Sequence, residues 1–415
     1  MTAAGVAAPA RRGWHAVGRR GLLIVLSGNM LIDAIEVSMA MISLPSIQHD
    51  LRLSLIGTQW VVGGFALGFG GMLMPGRWAA ARWGYRRVYL TALAVFAVAS
   101  AIAALSPDGA VLIATRVIKG GCAALTAPAG LAIIAGTFPA GRPRTRALAI
   151  YTLLGASGFS AGLLLAGVLT PVSWRWTFAL PAPLALALFP FALRLIPPGV
   201  GKDQAGRLGR TGVLAIACLR RAALGAATLN GSYWGLLFVV IFHLQVRLGW
   251  GPLEAGAALL PASLPAAMAA PLAEPMMRRV SPARLVALGA ALPPLGYGLC
   301  LITFSGYRAG GPAVTMTAYA ERLLPALLLV GLGFALCFAS LHVQALAGVP
   351  AVHHRVASSA YQTCVQVGGA AVLAAAAVVL TRAGERPALA LLVAVGGLGF
   401  LALLPGVRGS KASAP

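Results

Sequence analysis

The chain has 415 residues, of which 59% are hydrophobic and 10% charged, with a mean hydropathy of +0.86. This excludes a soluble globular domain. Apolar runs of about 20 residues point to a helical multi-span membrane protein, because the strands of a membrane barrel would alternate instead. The net charge of +23 is no nucleic-acid footprint, since the basic residues cluster in short gaps between apolar runs.

Residues 1–20 read as a basic tail without a cleavable signal peptide, the first apolar run being too long and too acidic for one. Twelve membrane spans are predicted: 21–45, 57–76, 88–105, 110–136, 146–170, 175–197, 223–245, 253–276, 283–305, 323–346, 356–380 and 388–406. The longest basic gap divides them into six-helix bundles at 21–198 and 223–406, joined by a linker at 199–222 and followed by a tail at 407–415. A short apolar piece in that gap, Val213 to Leu219, is expected at the membrane interface. Of the Lys and Arg residues, 23 fall on the side of the two termini and 7 on the other, with Arg116 and Lys119 inside span four. The positive-inside rule then places both termini in the cytoplasm of a bacterial plasma membrane. The five cysteines are scattered and read as small core residues with no disulfide or metal role.

Span one carries the chemistry. Asn29, Asp33, Glu36 and Ala40 fall at i, i+4, i+7 and i+11, one narrow stripe on an otherwise apolar helix. A charge at the centre of a membrane helix costs about 2.5–3.5 kcal/mol on insertion scales, so two acids one turn apart need a partner or a proton. Proton coupling or cation binding is one reading, and a static salt bridge is the other. Arg116 and Lys119 are the expected charge partners unless they snorkel to the surface. Gly158, Gly162 and Gly167 of span five suit close helix packing.

In the second half, Tyr233, Gln245, His342, Gln362 and Gln366 are candidate cavity residues together with Asn29. Glu254, Glu274, Glu321 and Glu385 sit at predicted span ends and read as surface charges. No GxxxxGK[ST] or HExxH pattern occurs, so neither direct ATP drive nor an enzyme is indicated, and no cofactor is expected.

The chain resembles the major facilitator superfamily, and within it the EmrB/QacA-type drug:proton antiporters. The resemblance runs from about residue 20 to 405. It rests on Glu36 with Ser43-Leu44-Pro45, Gln59-Trp60-Val61-Val62, Arg116 with Gly120 and Pro128, Ser173-Trp174-Arg175-Trp176, and Gln245 with Gly249, Ala255-Gly256 and Leu260-Pro261. Asp33 is an added acid, and Lys119 stands where the branch usually has Gln. The loop after span two departs from the family pattern. Gly76 is displaced by one residue, Ala81 precedes Arg82, and Tyr85 follows Gly84 before Arg86 and Arg87. Those residues would form the cytoplasmic gating loop. Gly162-Leu163 replaces the usual Gly-Pro of span five, and the count of twelve spans compares with a usual fourteen.

The resemblance implies an all-α facilitator fold that exports a small hydrophobic or cationic compound by proton antiport. The partners would be that small molecule, protons and the lipid bilayer, with no nucleic acid, and the protein would act as a monomer. Asp33 and Glu36 would exchange the protons, with Glu36 the first candidate because it fills the branch's usual acidic place. An importer on the same fold and a non-transporting sensor or lipid-handling protein are the alternatives.

Overall fold

A computed structural model describes residues 16–198, 216–272, 276–277, 279–305, 319–347, 349–350 and 353–409. The first half contains α1 (Ala16–Asp50), α2 (Leu55–Trp83), α3 (Tyr85–Ala104), α4 (Gly109–Thr137) and α5 (Arg142–Leu169). Its last helix, α6, is two pieces, Arg175–Ala179 and Pro181–Leu195. In the second half, α7 (Ala217–Phe242) runs into a π turn, His243–Arg247. There follow α8 (Pro252–Ala258 and Leu260–Ala269), α9 (Pro282–Ser305), α10 (Leu324–Ala347), α11 (His354–Ala383) and α12 (Glu385–Gly409). A second π turn, Tyr319–Leu323, leads into α10.

Among the described residues, eleven helices are long and apolar enough to cross a membrane. The expected eighth span, 253–276, is not one of the eleven, and its described part is two short helices. Pro261 has no N–H to offer the preceding turn, and the helix stops at Leu259 before restarting. Span seven begins earlier than expected, at Ala217, so the end of the expected linker and of the Val213–Leu219 piece is helix. Residues 199–215 of that linker, 1–15 of the first tail and 410–415 of the last lie outside the described residues.

Local chemistry sets the helix ends. Ser54 accepts the Gly57 N–H at 3.0 Å at the start of α2, and Asp108 accepts the Val111 N–H at 2.9 Å at the start of α4. Gly84 separates α2 from α3 at φ +82°, a conformation that an L side chain strains to adopt.

Three apolar cores hold the bundle. At the end bearing Leu44 and Trp174, one continuous core runs through both halves, from Met39, Ile47 and Val61 to Phe238, Leu327 and Leu389. Toward the other end the cores are separate. One belongs to the first half, around Leu26, Tyr89 and Ile133, and one to the second, around Leu219, Leu341 and Tyr361. Among the described residues, the apolar core shared by both halves lies at that one end.

Helix α5 lies tightly on α1. A Cβ on Gly158 would come 2.9 Å from the Leu31 carbonyl oxygen, and one on Gly162 would come 2.7 Å from that of Ile35. Gly167 meets Leu253 of α8 in the same way. Gly162→Leu is therefore expected to push α5 off α1 and cost about 1–3 kcal/mol of stability. Thermal unfolding of the purified protein in detergent measures this. Gly71→Ala is the control, because nothing lies within 4 Å of its Cβ position and its unfolding midpoint should not fall.

Candidate functional site

The acidic stripe of α1 faces α4. Glu36 is buried and accepts a hydrogen bond from Arg116 Nη1 at 2.6 Å. Lys119 Nζ lies 2.5 Å from the same Oε1 atom as an ion pair. The side chains of all three are fully enclosed, so Arg116 and Lys119 do not snorkel. Arg116 is fixed further by its Nε donating to the Val61 carbonyl at 2.7 Å. Its guanidinium stands 4.6 Å from the Phe65 ring centroid. The Lys119 ammonium stands 5.0 Å and 5.5 Å from those of Phe96 and Phe178. Ring faces are negative, so these aromatics form a wall around the cations that replaces some of their lost hydration.

Asp33 has a different environment. It is buried, and its Oδ2 accepts from Asn29 Nδ2 and from Thr126 Oγ1, each at 3.2 Å. Both donors are neutral. Among the described residues no cation lies within ion-pair distance of Asp33, although Lys119 is within electrostatic reach. One turn of helix thus separates an acid clamped by two cations from an acid held by amide and hydroxyl.

A second feature joins the halves. Phe159 of α5 lies 6.2 Å from Tyr233 of α7 between ring centroids, Tyr233 lies 4.7 Å from Phe334 of α10, and Phe334 lies 5.0 Å from Phe338. Tyr233 is buried and donates to the Ala262 carbonyl at 3.2 Å. Beside this ladder, Ser160 and Ser263 bond across the halves at 2.9 Å, and Thr363 of α11 donates to the Gly70 carbonyl of α2 at 3.0 Å.

The expected cavity residues do not form one cluster. Asn29 belongs to the Asp33 site and Tyr233 to the aromatic ladder. Gln245 sits on the π turn after α7 and donates to the Ile42 carbonyl of α1 at 3.0 Å, a bond across the closed end. His342 meets the edge of Tyr361 at 5.2 Å. Gln362 is half-buried, and Gln366 packs its Cβ toward Gly70. The expected gating residues around the turn at Gly84 each make a different contact. Gly76 packs on Leu125, Arg82 lies 5.9 Å from the Trp78 ring, Arg86 donates to the Leu193 carbonyl at 2.6 Å, and Arg87 is exposed.

Glu385 corrects the expectation of a surface charge. Its side chain is 12% exposed, and its Oε2 lies 3.0 Å from His243 Nδ1 and 3.3 Å from Arg247 Nη1. Folding brings α12 against the π turn and buries the acid, which span-end position alone does not reveal. Thr126 was missed in the sequence, although a signal existed. It follows Lys119 by seven residues, two helical turns, on the same face of α4. Phe65, Phe96 and Phe178 come from three different helices, and no local pattern marks them.

A family model for the Major Facilitator Superfamily matches residues 26–373. The chain is 29% identical to the puromycin resistance protein pur8 of Streptomyces alboniger, over 87% of this chain and 80% of that protein. It is also 29% identical to the cephamycin export protein CmcT of Amycolatopsis lactamdurans, over 88% and 85% respectively. In fold it is similar to the nucleoside transporter NupG, with a TM-score of 0.73 at 14% identity, covering 94% of this chain and 99% of that one. The chain belongs to the Major Facilitator Superfamily, a family of multi-pass membrane transporters rather than enzymes.

Proposed function

We propose that the chain exports a small hydrophobic or cationic compound, such as an antibiotic or secondary metabolite, in exchange for protons. The roles of the two relatives, resistance and export, support the class of cargo and the direction. The observation that carries the proton reading is Asp33, a buried acid held by neutral donors beside one paired with two cations. Glu36, clamped by Arg116 and Lys119, acts as a structural anchor. Asp33 can be neutral or charged without breaking an ion pair, so it is the acid that loads and unloads the proton. This reverses the order of candidates expected from the sequence.

The loop charges supply the sidedness. They put both termini and the separate cores on the cytoplasmic side of a bacterial plasma membrane, and the shared core on the outer side. The described conformation is then closed outward. Rocking of the two halves about the Phe159–Tyr233–Phe334 ladder would exchange access, and the ladder gives a lipophilic cargo an apolar bed. The protein works as a monomer in the bilayer, with no nucleic-acid partner.

Everted membrane vesicles carrying the chain, energised by respiration, test the direction. Puromycin, cephamycin C and ethidium are the probes. At least one is expected to accumulate in the lumen and to leak out when a protonophore is added. Accumulation confined to right-side-out vesicles would mean import, and no accumulation of any probe in either orientation would contradict this reading.

A further inference from the structure

We propose that Lys119 is a shared counter-charge, which leaves Glu36 and turns to Asp33 when Asp33 gives up its proton. The inference rests on the reading of Asp33 as the exchanging acid and adds how its charge is balanced.

The order of side chains along α4 points to this role. Arg116 meets Glu36 and Thr126 meets Asp33, while Lys119 lies between them in sequence. Its ammonium is held at one atom, Glu36 Oε1, and otherwise faces the rings of Phe96 and Phe178. Arg116 is different, because Nε is anchored on the Val61 carbonyl and Nη1 on Glu36. If Lys119 departs, Glu36 keeps an aligned partner. A lysine on its flexible four-carbon stem can make such a move, whereas a guanidinium fixed at two points cannot.

Charge balance supplies the motive. With Asp33 protonated, Glu36, Arg116 and Lys119 together carry one positive charge. With Asp33 ionised, the four groups are neutral. The other titratable groups in electrostatic reach of Asp33 are Tyr89 of α3, Cys122 of α4 and Tyr151 of α5. Phenols and thiols are ordinarily neutral near pH 7, so they cannot balance a carboxylate. From α2 and α6 the cluster meets the rings of Phe65 and Phe178, which carry no charge. Among the described residues, Lys119 is the one cation placed to follow the charge of Asp33. The described arrangement, with Lys119 on Glu36 and neutral donors on Asp33, is the proton-loaded one.

Infrared difference spectroscopy of the full chain in liposomes tests this without a cargo molecule. A jump from acidic to alkaline buffer should bleach the carboxylic-acid C=O band of Asp33 in the wild type, and Asp33→Asn should lack the bleach. At about pH 8, Lys119→Gln should lower the ratio of ionised to protonated Asp33 about tenfold, the equivalent of one lost charge contact. Lys119→Arg should restore it in part. A bleach in Lys119→Gln equal to the wild type overturns the counter-charge role and leaves the Asp33 reading standing. A bleach that persists in Asp33→Asn overturns the Asp33 reading, and this inference with it. If Lys119→Gln does not fold, wild-type protein carrying nitrogen-labelled lysine gives the same answer. The Lys119 Nζ resonance should shift on the jump and stay fixed in Asp33→Asn. A resonance that stays fixed in the wild type also overturns the proposal.

Discussion

Replacing Glu36 by Gln is expected to destabilise the protein by about 3–5 kcal/mol, the usual cost of removing one partner from a buried ion pair. The amide keeps the volume and can still accept from Arg116 Nη1. It cannot balance two enclosed cations that are walled by Phe65, Phe96 and Phe178. Water cannot reach them, because neither side chain has any exposed surface. A large fall in the thermal unfolding midpoint in detergent is the expected readout. The triple replacement Glu36→Gln, Arg116→Gln, Lys119→Gln removes all three charges and should recover part of that loss, since neutral groups of similar size often replace a buried pair at little cost. Equal stability of Glu36→Gln and wild type would show that the clamp is not the anchor of α1 on α4.

Asp33→Asn should behave in the opposite way, leaving the fold intact and removing the work. The amide is isosteric, and its oxygen can still accept from Asn29 and Thr126. No ion pair is broken, so the unfolding midpoint should move little. Uphill transport should collapse, because the side chain can no longer take or release a proton. Each coupled charge moved across about 100 mV supplies about 2.3 kcal/mol, an accumulation of about fiftyfold. Steady-state accumulation of a transported probe in energised vesicles should therefore fall by about that factor for one proton lost. Downhill movement of the same probe should continue. The separation between the two variants, one failing in stability and the other in coupling, divides the roles of two acids that sit one turn apart.

The architecture was legible because hydropathy and loop charge are written locally. Long apolar runs mark most spans, and Arg116 and Lys119 inside a span announce a need for acids. The stripe of Asn29, Asp33 and Glu36 shows which face of α1 seeks them. The partition among the four charges was not legible. Whether Lys119 reaches Glu36 or Asp33 depends on the relative height of two antiparallel helices. That height is set by contacts such as Gly120 against the Phe65 backbone and Gly162 against Ile35. The break at Leu259 was readable in principle from Pro261 and Pro265, but composition outweighed it. The burial of Glu385 depends on α12 returning to the π turn after α7, some 140 residues away in sequence. No local pattern carries that information. The aromatic ladder likewise draws Phe159, Tyr233 and Phe334 from three helices, and each alone looks like an ordinary core residue.

The measurement that tests the account most directly is cargo-evoked proton release from purified protein in liposomes. A probe that accumulates in everted vesicles is added to wild type, Glu36→Gln and Asp33→Asn, with a pH-sensitive dye in the medium. The account predicts proton release on adding the probe to wild type and none from Asp33→Asn, although that variant still binds the probe. Release from Asp33→Asn equal to that of wild type would contradict it.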